Sequence, residues 1–264
     1  MRERKNPIEA VAEAMALRRE TYEREVLQSP PFQDALRYLE GLASDFLLAQ
    51  SYIRLMAARY GAAEDYLLFR FAPHLVEAVL ATTQNAKEGL QNAARRELRF
   101  LLEACVKFST RDVHAEAQTF DARLRGLDDR EKRFEDYVRD LQYFPEFERP
   151  GEANAAILSL YAELSTYVHA AVPQFQSALN RYARGEDAGR ESVATLNRFN
   201  KLAFQVYDLV LVQIFQSIGL SMAGDAFVEM FDDMPQWRFH KGKFIARLSK
   251  CFDYKHERQT RHKR

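Results

Sequence analysis

Arg95-Arg96-Glu97-Leu98-Arg99-Phe100-Leu101-Leu102-Glu103 and Tyr161-Ala162-Glu163-Leu164-Ser165-Thr166-Tyr167-Val168-His169 each carry polar groups at every fourth residue beside an apolar stripe. Residues four apart stack on one flank of an α-helix, so Arg95, Arg99 and Glu103 form one ladder and Tyr161, Ser165 and His169 another. Leu98, Leu101, Leu102 and Cys105 mark the buried face of the first helix; Leu164 and Val168 continue that of the second. Two such helices belong to a bundle, and they place either a buried polar network or a site at its centre.

Working outward, helical periodicity recurs almost everywhere and strict alternation almost nowhere. Helices are expected over 7–28 and 32–59, then from about 62 with an interruption at Pro73. Others are expected through Leu98–Phe108, over 151–170, from Pro173 to about Ala183, and over 190–222. Within that last stretch the most apolar window, 202–222, is interrupted by Gln205, Asp208, Gln213 and Gln216, which suits a central core helix and not a membrane span. The segment 114–149 is crowded with charge and ends in Phe144-Pro145-Glu146-Phe147. It reads as one or two exposed helices and a connector: a lid, an insertion, a binding arm or a solvated excursion.

The fold class expected is therefore all-α: a mostly antiparallel bundle over 1–236, with 114–149 as a charged excursion and 237–264 as a basic amphipathic C-terminal segment. Few glycines and prolines (10 and 8 in 264 residues) and 47% hydrophobic residues agree with one helical domain. Cys105 and Cys251 have no CxxC partner, which suits a reducing compartment. With no uninterrupted apolar stretch near Met1, a soluble, cytoplasmic protein is expected.

Net charge is zero but unevenly spread: residues 238–264 hold ten Lys or Arg against Asp253 and Glu257. Lys241, Lys243, Arg247, Lys250, Lys255, Arg258 and Arg261, interleaved with Trp237, Phe239, Phe244 and Phe252, suit RNA or another polyanion. The same pattern equally describes a final helix docked on the bundle.

Motifs for phosphate loops, zinc proteases and di-iron bundles are missing, so no metal and no cofactor is expected. What remains is the ladders. If their helices pack together, Arg96, Arg99, Glu103, Tyr161, Ser165 and His169 converge. That cluster can bind an anion or, with His169 as acid or base, cleave a phosphodiester; equally, it can pin the register of two core helices.

Arg96, Leu98, Arg99, Leu102, Glu103, Tyr161, Leu164, Ser165 and His169 also carry a resemblance. They look like a group of all-helical bacterial proteins similar in style to the HEPN superfamily. The resemblance implies a helical fold and a nucleic-acid or protein partner, in a setting such as phage defence or stress. HEPN ribonucleases carry R-x(4–6)-H on one helix, and no Arg-to-His spacing here meets it. The reading is thus a helical binding protein. Its alternatives are a metal-independent ribonuclease, with His169 as acid or base and Arg96 and Arg99 holding phosphate, and an interaction scaffold, including a homodimer.

Overall fold

The apolar window of the sequence becomes the helix around which the others assemble. The computed structural model describes residues 6–59, 64, 66–113, 119–127, 132–168, 172, 175–176, 179–180, 191–252 and 254. Among these, no strand occurs and the chain is all-α. In chain order its helices are α1 (Pro7–Tyr22), α2 (Pro30–Arg59), α3 (Leu67–Arg70), α4 (Ala72–Lys87), α5 (Gln91–Val113), α6 (Phe120–Arg125), α7 (Phe134–Arg139), α8 (Pro150–Ser165), α9 (Val193–Ser217), α10 (Leu220–Ala226) and α11 (Lys243–Leu248). A π-helical turn, Glu23–Leu27, prolongs α1; another, Phe227–Phe231, follows α10; and a 3-10 turn, Arg238–Lys241, precedes α11.

α9 begins where Ser192 accepts a hydrogen bond from the Thr195 amide, an N-cap of the favoured type. Every residue from Val206 to Ser217 is buried, because α2, α5, α8 and α11 all pack on it. A helix buried all round must satisfy its polar groups internally. Gln213 donates to Tyr143 Oη (3.3 Å), and Gln216 accepts from the Phe144 amide (2.7 Å). Asn200 donates to the Ala35 carbonyl of α2 (2.8 Å). Gln213 and Gln216 are two of the groups that interrupt the apolar window, and no helix among the described residues is long and apolar enough to cross a membrane. Gly219 ends the run: its φ of 84° lies in the left-handed region, where only glycine is unstrained.

α4 and α5 join through a short turn at Glu88–Leu90 and pack as antiparallel neighbours. Pro73 sits in the first turn of α4, where its missing N–H costs nothing, and so it divides the helix expected from 62 into α3 and α4.

Three short helical pieces share one device: a carboxylate on a long helix caps their N-terminus. Asp112 of α5 accepts from the amides of Leu67 (2.8 Å) and Leu68 (3.0 Å) at the start of α3. Asp208 of α9 accepts from Phe244 and Ile245 (3.0 Å each) at the start of α11. Asp45 of α2 accepts from the Arg238 amide (2.9 Å), while its own carbonyl accepts from Trp237 Nε1 (3.2 Å). Gly242 lies so close to Asp208 that a Cβ there would meet the carboxylate.

One segment differs from expectation, and a second takes the docked form that was one of its two readings. In the 114–149 stretch, α7 is docked: Phe134, Tyr137 and Val138 are buried against α5 and α8, as are Leu141 and Phe147 of the connector. Charge density marked its exposed side and hid the aromatic one. The C-terminal stretch is also part of the core up to Phe252; Trp237, Phe239, Phe244, Ile245, Leu248 and Phe252 are all buried. Phe227 meets Trp237 edge to face and Phe231 meets it at a tilt, tying that hook to the π-helical turn after α10.

Candidate functional site

α5 and α8 pack together, so the two polar ladders meet. Arg99 is the junction. Its Nη2 donates to Tyr161 Oη (2.7 Å) and faces Glu103 Oε2 (3.4 Å), while its Nε donates to Ser165 Oγ (3.1 Å). Ser165 Oγ donates in turn to the Tyr161 carbonyl (2.6 Å), an i−4 bond within α8. The guanidinium also lies over the Tyr161 ring, 4.8 Å from its centre, and Phe134 stacks on the same ring with centroids 3.9 Å apart. Arg96, one position around the helix, donates from Nε to the Tyr167 carbonyl (2.8 Å) past the end of α8. His169 lies outside the described residues.

The ladder on α5 is longer than the quoted stretch. Arg95, Arg99, Glu103, Lys107 and Arg111 repeat every four residues, and such a row is one continuous ridge on the helix surface. Aromatic rings of the packed neighbours run beside it. Arg95 stacks over Tyr167 (4.7 Å) and Arg99 over Tyr161, while Lys107 and Arg111 flank Tyr137 of α7 (5.7 Å each). Lys132 joins from the start of α7, 4.5 Å from the same ring. Cation–π contacts at such partly exposed places contribute about 0.5–1 kcal/mol each, enough to order the cations without withdrawing them from solvent.

Along the ridge the carboxylates are Glu103, shared by Arg99 and Lys107 (2.7 Å to the latter), and Asp140, paired with Lys132 (2.6 Å). Arg111 makes no ion pair among the described residues, and its Nε is buried without a hydrogen-bond partner there. Arg99 and Glu103 are about a quarter exposed or less at their side chains (22% and 24%), so the cluster is a shallow, positively charged surface and not a sealed core network. Its chemistry is electrostatic: planar guanidiniums and an ammonium aligned over roughly 24 Å of helix, at 1.5 Å per residue, suit repeated phosphates.

The C-terminal cations are placed differently. Glu152, at the start of α8, binds Arg247 (2.6 Å) and Lys243 (3.1 Å), and Arg149 reaches its other oxygen (3.1 Å). Hydrogen bonds from Arg247, Lys243 and Arg149 hold the Glu152 carboxyl down at about 2. Lys250 stands 3.9 Å from Glu148. These residues attach the hook to α8. Lys241 makes no ion pair among the described residues and lines a cleft beside α9. Lys255, Arg258 and Arg261 lie outside the described residues.

Sequence reading stopped the ladder at Glu103 and so missed Lys107, Arg111, Lys132 and Tyr137. The four-residue repeat itself continued through Lys107 and Arg111 and was the available signal. Tyr137 and Lys132 come from a remote segment, and no local spacing announces them. Among the described residues, no group of three His, Cys, Asp or Glu side chains is placed to hold a metal ion. No family model matches the chain, and no curated protein or solved structure matches it significantly either.

Proposed function

We propose that the protein is a helical binding module for a polyanion, RNA being the partner whose chemistry fits best, and that the ridge on α5 is its contact surface. The observation that carries this reading is the positive excess on that ridge. Among the described residues, Arg96, Arg99, Lys107, Arg111 and Lys132 carry five positive charges against Glu103 and Asp140 as their ion-pair partners. Arg111 in particular makes no ion pair among the described residues, and its guanidinium is ordered beside Tyr137. The ridge is favoured over the C-terminal hook because Lys243 and Arg247 already share Glu152. The HEPN-like resemblance rests on the same two helices, and a role in phage defence or stress belongs to this proposal with it.

Contacts to phosphate confer affinity but little sequence preference, and they weaken with salt. Anisotropy of a labelled single-stranded RNA, titrated in chelator across a salt series, tests the reading. The expected slope of log K against log salt is about −0.7 per phosphate neutralised. The variant carrying Arg96→Gln, Lys107→Gln and Arg111→Gln should bind more weakly and show a shallower slope, with its melting temperature recorded beside it. A chain ending at Phe252 should bind as the full chain does. Affinity that survives the triple change and vanishes on truncation assigns binding to the tail and overturns the ridge. Cleaved RNA, abolished by His169→Ala, replaces the binding module with the ribonuclease.

A further inference from the structure

On the opposite flank of α8 from the ridge, a cleft of about 470 Å³ opens between α8, α9 and the C-terminal hook. Its walls follow from helical spacing. α8 presents Ala156, Ser159, Leu160 and Glu163, and α9 presents Lys201, Phe204, Gln205, Asp208 and Leu209, each set lying on one stripe. The hook adds Lys241, Lys243 and Phe244. The volume is within the range of small-molecule sites, and the mixture of an apolar floor with a few polar groups is their usual composition.

The lining has three chemically distinct parts. Phe204 is held flat by stacking on Phe239 (5.4 Å, planes 7° apart), so its other face is a fixed platform for a planar ring. Lys201 and Lys241 make no ion pair among the described residues, and Lys243 shares Glu152 with Arg247; together they supply positive charge on two sides of the opening. Ser159, Glu163 and Gln205 are exposed at the rim, where a hydroxylated ligand would find acceptors and donors. Asp208 turns its oxygens to the amides of Phe244 and Ile245, whose dipoles offset part of its charge, and so the phosphate end of the ligand is placed at the lysines and away from it.

We infer that this cleft binds a small molecule joining a planar ring to a phosphate through a hydroxylated linker, a free nucleoside monophosphate being of the right kind. The ring lies on Phe204, the linker hydroxyls meet Glu163 and Gln205, and the phosphate sits between Lys201 and Lys241. This site shares no residue with the RNA ridge and stands or falls apart from it.

Isothermal titration calorimetry of the full chain with AMP and with UMP tests the inference, with adenosine, uridine and inorganic phosphate as the half-ligands. At least one nucleotide should bind about tenfold or more tightly than either half, since a phosphate between two ammonium groups gains charge-assisted hydrogen bonds. Lys201→Gln with Lys241→Gln should lose about that factor and bring AMP down to the level of adenosine. Phe204→Leu should weaken AMP and adenosine alike. The Arg111→Gln chain should bind nucleotide unchanged, which separates this site from the ridge. Saturation with neither nucleotide at about millimolar concentration, binding of both nucleotides no tighter than their nucleosides, or nucleotide affinity indifferent to the lysine changes in a folded protein would each overturn it.

Discussion

Asp208 and Asp112 have the same task and the same electrostatic tension. Burial pushes each carboxyl up to about 6, against the opposing pull of the backbone amides each one caps. For Asp112, the buried Arg123 guanidinium (3.5 Å) pulls the same way as those amides. An acid whose folded pKa exceeds its unfolded value, about 3.9, holds its proton more tightly in the folded state. Its contribution to stability is therefore greatest below about pH 4 and is lost as pH rises to about 6. Glu152 is the reverse case: held near 2, it stabilises above the ordinary carboxylate range, and that contribution disappears as pH falls toward 2. Thermal melting of Glu152→Gln against the parent should show a deficit at neutral pH that closes in strong acid. Asp208→Asn, which cannot ionise, should remove part of the parent's decline between about pH 4 and 6. A deficit for Glu152→Gln that persists unchanged at pH 2 would mean that packing of the hook, and not the ion pairs, sets its effect.

Among the elements, α1 stands apart. It buries none of its residues, and Ile8, Val11, Met15 and Leu17 are all exposed. It is tied to the bundle at its far end, where Tyr22 Oη bonds both to the carbonyl and to the amide of Glu191 (3.2 and 3.1 Å). Removing residues 1–17 should leave the melting temperature within about 2 °C of the parent, because none of the described residues removed is buried. A larger fall would reveal contacts made in solution by that apolar stripe. Helices were the legible part of this chain. The presence of α2, α5, α8 and α9 was legible, the latter three from stripes such as Leu98/Leu102/Cys105 and Leu164 with its neighbours, since burial on one face imposes a period that survives in any sequence; their ends were not, α8 stopping at Ser165 and α9 at Ser217. α7 and α11 were poorly legible. Six residues are too few to display a period, and both helices owe their existence to the partners they pack against.

At the scale of the whole molecule, the bundle brought the two ladders together, as their shared apolar edges required, and thereby placed Arg99 beside Tyr161 and Ser165. What spacing along one strand of sequence does not encode is the third partner. Tyr137 and Lys132 reach the ridge only because the connector folds back under α5 and α8, and Asp208 reaches the hook only because α9 passes beneath it. The caps that Asp112, Asp208 and Asp45 provide carry a temporal consequence. α3 and α11 are four and six residues long, below the length at which a helix persists alone, and the acceptors for their first amides lie dozens of residues away in sequence. These turns thus have no nucleus of their own and must condense after α5 and α9 have docked. The amides of Leu67, Leu68, Phe244 and Ile245 should exchange with solvent deuterium in step with the longest-lived amides of α5 and α9, not with the fast rates of surface turns. The smallest helices of the protein would then report the opening of its deepest ones.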